Sequence, residues 1–106
     1  MPTHDQISAA SMIAAFGGPG KLSRNGTLRD CVIGDLTFDP RRRDLVIEGK
    51  RIFLIAALFG GVEIVEPHHE QDLVVAFGET LRIVEPVRGP RPGGSPIFFE
   101  VTCEYL

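Results

Sequence analysis

Apolar and polar residues alternate over short stretches of this chain, most regularly at its end. Over residues 97–106, Phe99, Val101, Cys103 and Tyr105 fall on one side, and Phe98, Glu100, Thr102 and Glu104 on the other. That is the period-2 signature of a strand. Leu36 and Phe38 alternate with Thr37 and Asp39 in the same way, and Pro40 ends that strand by removing a ladder donor. Residues 27–33, 45–47, 52–59, 73–77 and 81–84 are further short runs predicted as strands, with 52–59 apolar on both sides. Asn25-Gly26 predicts a tight turn, because both residues tolerate positive φ. Ile7, Ser11 and Ala14 fit one helical face, but Gly17-Gly18-Pro19-Gly20 would end a helix abruptly. A strand over 11–16 is preferred there, because the same order of residues recurs downstream.

That order is an apolar pair or triplet, a glycine, an alternating strand, then an acid and a proline. It reads Cys31-Val32-Ile33-Gly34 before Leu36 to Pro40, Ala57-Leu58-Phe59-Gly60-Gly61 before Val62 to Pro67, and Val75-Ala76-Phe77-Gly78 before Leu81 to Pro86. Ala14-Ala15-Phe16-Gly17-Gly18 is a fragment of it. Spacings of roughly 20 residues suit one coil of a β-solenoid, with glycine where the chain turns. The expected fold is therefore all-β: a short solenoid of about four coils with an added C-terminal strand. A small antiparallel sandwich or barrel is the alternative. In this reading residues 1–10 are a lead-in, 11–86 the repeated coils, and 87–106 a Pro/Gly-rich loop and terminal strand of the same domain. Gly17, Gly34, Gly60, Gly61 and Gly78 are the expected structural corners.

At these residues the chain resembles the C-terminal domain of LiaF-type proteins, the cell-wall-active-antibiotics-response domain related to toast-rack β domains. The matching steps are Ala15-Phe16-Gly17-Gly18, Ile33-Gly34-Asp35-Leu36-Thr37-Phe38-Asp39, Leu58-Phe59-Gly60-Gly61-Val62-Glu63-Ile64 and Phe77-Gly78. The resemblance implies a right-handed single-stranded β-solenoid. It also implies protein interaction or envelope-stress signalling in a bacterium, without catalysis. The family's domain usually follows transmembrane helices, and no such segment is visible here.

Composition narrows the function. A length of 106 residues suits one modest core, and a net charge of −3 gives no general attraction to nucleic acid or anionic membrane. Cys31 and Cys103 stand far apart and are expected to be reduced, buried thiols. No secretory signal or membrane-length apolar run is visible, so a cytoplasmic protein without direct membrane insertion is expected. His68-His69-Glu70-Gln71-Asp72 is the one dense group of ionisable residues. Adjacent histidines on a strand point oppositely, so a solvated loop is the expectation; a cupin-like metal or small-molecule site using His68, His69, Glu70 and Asp72 is the alternative. Arg41-Arg42-Arg43 reads as a charged loop flanked by Asp39 and Asp44. Glu63, Glu66, Glu85 and Asp39 read as surface gatekeepers against edge pairing. Gly17-Gly18-Pro19-Gly20-Lys21 lacks the ending of a phosphate loop, and Ser8, Ser11, Ser23 and Ser95 lack a nucleophile context. The expectation is a non-enzymatic interaction scaffold with no cofactor, acting as a homo-oligomer or on a protein partner, with end-to-end self-association of solenoid coils.

Overall fold

The computed structural model describes residues 2–36 and 49–106. The chain opens with helix α1 (His4–Phe16). The Thr3 side chain accepts the Gln6 amide at 3.2 Å and the Gln6 side chain accepts the Thr3 amide at 2.9 Å, a reciprocal capping box. Ala9, Ala10, Ala14 and Ala15 favour the helix, which overrides the strand expected over 11–16. The helix stops at Gly17, where a Cβ would lie 2.1 Å from the Ile33 carbonyl oxygen.

Strands β1 (Gly18–Arg24) and β2 (Thr27–Asp35) form a hairpin about Asn25-Gly26, whose φ values of 53° and 83° suit a type I′ turn. Strand β3 (Arg51–Ala56) follows, then a two-rung hairpin of β4 (Leu58–Phe59) and β5 (Val62–Glu63). Strands β6 (Asp72–Ala76) and β7 (Glu79–Ile83) make a third hairpin about Phe77-Gly78. After a short 3-10 turn (Pro92–Gly94), β8 (Phe98–Tyr105) ends the chain's regular structure. The order around the main sheet is β1-β2-β3-β8-β7-β6, and β6 pairs with β1. Every pairing is antiparallel, and the β6–β1 pairing closes the six strands into a barrel.

This overturns the expected solenoid, its internal repeat and the toast-rack arrangement; the small antiparallel barrel kept as the alternative is the fold present. The order "apolar strand, glycine, alternating strand" is also that of a β-hairpin, and hairpins are what two of its copies form. Gly60, Gly61 and Gly78 sit in turns at φ of 60°, 80° and 75°. Gly17 and Gly34, expected as corners, are close-packing sites. Gly34 lies within β2, and a Cβ there would meet the Phe16 ring at 2.1 Å. The terminal strand is no addition to a solenoid: β8 lies between β3 and β7 and completes the wall. The expected strands at 36–40 and 45–47 and the Arg41-Arg42-Arg43 loop fall wholly or mostly outside the described residues.

Side-chain parity fixes the interior. Leu22, Cys31, Ile33, Phe53, Ile55, Val74, Ala76, Leu81, Ile83, Phe99, Val101 and Cys103 pack into one buried cluster. On the outer wall, Ile13 of α1 packs against Leu54 and Ala56, with Val32, Leu36 and Phe98 beside them. Both faces of β3 are thus covered, which explains its unbroken apolar run. Burying the fully enclosed Ile13 is worth about 2 kcal/mol and holds the helix to the barrel.

Candidate functional site

The inward parity that carries the core ends in charge at both mouths of the barrel. The upper mouth holds the Asn25-Gly26 turn and the connections over 57–71 and 84–97. The lower mouth holds the Phe77-Gly78 turn and the end of β8.

At the upper mouth, Arg24 ends β1, Asp72 begins β6, and the two stand directly opposite in register. The Asp72 side chain has no solvent exposure. Its carboxylate accepts Arg24 Nε and Nη2, each at 2.7 Å, and Arg29 Nη2 at 3.3 Å. It also accepts the His68 backbone amide at 2.8 Å. Burial alone would raise the Asp72 pKa; the Arg24 hydrogen bonds, the His68 amide and the two guanidinium charges outweigh it and leave the carboxyl below its ordinary value. The His68 carbonyl accepts the Asp72 amide at 2.9 Å, so the loop folds back on the carboxylate that anchors it. Arg24 Nη2 also donates to the Glu66 carbonyl at 3.1 Å.

This anchoring bends the histidine loop. The His68 and His69 rings stack with centroids 5.1 Å apart and an 18° interplanar angle. His68 Nδ1 accepts the Glu70 amide at 3.1 Å, which in the neutral ring leaves the proton on Nε2. His69 Nε2 lies 3.5 Å from the Glu70 carboxylate. The four alternative ligand residues therefore separate. Asp72 is committed to arginine inside the mouth, His68 and His69 line a surface cleft, and Glu70 stands in solvent beside His69. Among the described residues no three His, Cys, Asp or Glu side chains are grouped to hold a metal ion. The cleft measures about 570 Å³ and is lined by Arg24, Glu66, Pro67, His68, His69, Gln71, Pro86 and Val87.

At the lower mouth, Arg51 donates from Nη1 to the Tyr105 hydroxyl at 2.6 Å and to Glu79 at 3.2 Å, and from Nη2 to Asp35. Its guanidinium carbon lies 5.5 Å from the Phe53 ring centroid and 5.9 Å from that of Tyr105. Phe77, in the left-handed region at φ 54°, stacks on Phe53 at 5.9 Å. A third polar anchor is the buried Gln6, whose Nε2 donates to Glu63 and to the Pro96 carbonyl, each at 2.8 Å. It ties the start of α1 to β5 and the long upper connection. Among the described residues no buried side-chain nitrogen or oxygen lacks a partner.

The arginine networks were not anticipated, although their signal was present. Arg24, Arg29, Asp35, Arg51, Asp72, Glu79 and Tyr105 each occupy the inward parity of a strand near its end. Cys31 and Cys103 are buried free thiols, as expected, and burial pushes both up to about 12. They stay protonated at neutral pH, which leaves them poor nucleophiles.

Fold and sites together define a small closed antiparallel barrel with a packed apolar interior, charged networks at both mouths and a helix on its wall. Comparison with family models, with curated proteins and with solved structures finds no match to this chain. No helix among the described residues is long and apolar enough to cross a membrane.

Proposed function

We propose that this chain is a non-enzymatic interaction module that associates with a second copy of itself through the outer face of α1. The observation that carries this reading is the character of that face. Ile7, Ser8, Ser11, Met12, Ala14, Ala15 and Phe16 are all exposed, with Ile7 and Met12 each at 52%. Spacings of three and four residues make them one continuous stripe. No charged residue lies on the helix beyond Asp5, whereas a helix facing water normally carries charge there. The same residues hid the helix from a search for amphipathic pattern.

Self-association follows from the stripe being its own complement: small Ser8, Ser11, Ala14 and Ala15 leave room for Ile7 and Met12 of an antiparallel copy about a two-fold axis. The main sheet closes on itself, with no stacked coils to extend, so this route replaces end-to-end stacking. Gln6 places the exposed Phe59 and Val62 of the β4–β5 hairpin near the start of the same helix, extending the apolar surface.

Light scattering across a concentration series tests the reading. The expected mass rises from 11.6 kDa toward twice that value in the wild type. Ile7→Lys with Met12→Lys should hold it at the monomer while circular dichroism is unchanged. A wild-type monomer at every concentration refutes it.

A further inference from the structure

We propose that the cleft beside the upper mouth binds a small organic anion, with a phosphate or carboxylate group held by Arg24, His68 and Gln71. The inference is independent of self-association, because the cleft and the helix face are different surfaces.

Two of the donors, Arg24 and His68, are held before any ligand arrives. Asp72 grips Arg24 along Nε and Nη2 with two 2.7 Å bonds, and Nη1 carries no hydrogen bond among the described residues. The Glu70 amide occupies His68 Nδ1, which makes Nε2 of the neutral ring a donor. Gln71, on the exposed rim, adds a side-chain amide to the lining. A guanidinium held rigid loses little freedom on engaging an oxyanion, and its planar fork suits phosphate and carboxylate alike. Charge agrees: Arg24 and Arg29 face the single carboxylate of Asp72, leaving one positive charge at the floor. Two acids stand at the rim: Glu66 is paired with Arg91, and Glu70 turns its carboxylate largely into solvent beside His69.

The remaining lining sets the ligand class. Pro67, Pro86, Val87 and the stacked imidazoles form a rigid, weakly polar wall, and about 570 Å³ exceeds what an inorganic anion fills. A molecule with one oxyanion and a flat apolar body matches both parts.

The test is an ¹⁵N–¹H titration of the full chain with phenyl phosphate and, separately, benzoate, at constant ionic strength set by chloride. Saturable shifts are expected at the Arg24 Nε–H, at the amides of residues 66 and 68–72 and at Val87. The arm that saturates identifies phosphate or carboxylate as the recognised group; saturation of both assigns the site to either. His68→Ala with His69→Ala leaves the backbone bond to Asp72 in place and should weaken binding about tenfold, as loss of a charge-assisted hydrogen bond does. Gln71→Ala, on the exposed rim, gives a second reading of several-fold weakening should the double variant fold poorly. Shifts that stay linear with both probes, or saturation untouched by Gln71→Ala and by the double variant, overturn the assignment.

Discussion

Replacing Asp72 by Asn should cost this protein about 3 kcal/mol. The substitution keeps the shape of the side chain and removes its charge. In the native chain a carboxylate with no solvent exposure is met by Arg24, Arg29 and the His68 amide. In the variant, one amide oxygen must serve donors that two carboxylate oxygens served, and the amide NH₂ faces a guanidinium, donor against donor. Breaking a buried pair by removing one partner costs about 3–5 kcal/mol. Arg24 and Arg29 keep 27% and 23% of their side chains exposed, so water reaches the stranded cations and the lower end applies. For a domain of this size that is a drop in Tm of about 12 °C. Urea unfolding followed by far-ultraviolet circular dichroism suits a chain with no tryptophan and one tyrosine. The pH dependence supplies a second reading. A carboxyl whose folded pKa lies below its unfolded value of about 3.9 stabilises fully above that value, and the contribution disappears as pH falls through the folded pKa. The wild type should therefore lose stability below about pH 4 with a slope that Asp72→Asn lacks. A cost under about 1 kcal/mol, or an unchanged acid slope, would show that the network is not holding the upper mouth closed.

Two further outcomes follow from the wall and the interior. A thiol reagent such as Ellman's should modify neither Cys31 nor Cys103 in the folded protein at neutral pH, and both in urea, because each thiol is buried and pushed up to about 12; fast stoichiometric reaction of the native chain would contradict the packed interior. Gly34→Ala should cost about 1–3 kcal/mol, since its Cβ would sit 2.1 Å from the Phe16 ring. Adding Phe16→Ala should recover most of that loss, and thermal melts of the single and double variants would refute the account if the two melted alike.

Several strand positions, among them β2, β3, β6, β7 and β8, were readable from the sequence; β1 was not, the strand expected over 11–16 is helix, and strand partners were not readable. Period-2 alternation reports which face a residue takes and says nothing about which strand lies beside it. Phe99, Val101 and Cys103 were placed on one face correctly, yet their neighbours are Ile55, Phe53 and Arg51 on β3 and, for Cys103, Ile83 on β7. The recurring glycines misled for a related reason. A glycine between two apolar runs serves a solenoid corner and a hairpin turn equally well, and only pairing separates them. The helix was obscured because its outward face lacks the charges that normally mark one, although Thr3 and Gln6 stood at capping-box spacing.

Extending parity to the strand ends would have gone further. In β1 the inward series Gly18, Gly20, Leu22 ends at Arg24, and in β6 Ala76 and Val74 lead back to Asp72. In β3 Ile55 and Phe53 lead back to Arg51, and in β8 Val101 and Cys103 lead on to Tyr105. A charge on the core parity at a strand end must either reach water or find a partner at the rim. Opposite charges on several such ends imply that those ends meet. In a solenoid, successive coils bring equivalent positions together, which would stack Asp39, Glu66 and Glu85, the acids before each proline, as like charges. In a barrel the strand ends converge on two mouths, and Arg24 meets Asp72 while Arg51 meets Asp35 and Glu79. The signs of the strand-end charges thus favour the closed sheet over the repeat, and the same closure leaves Arg24 fixed at the edge of a cleft.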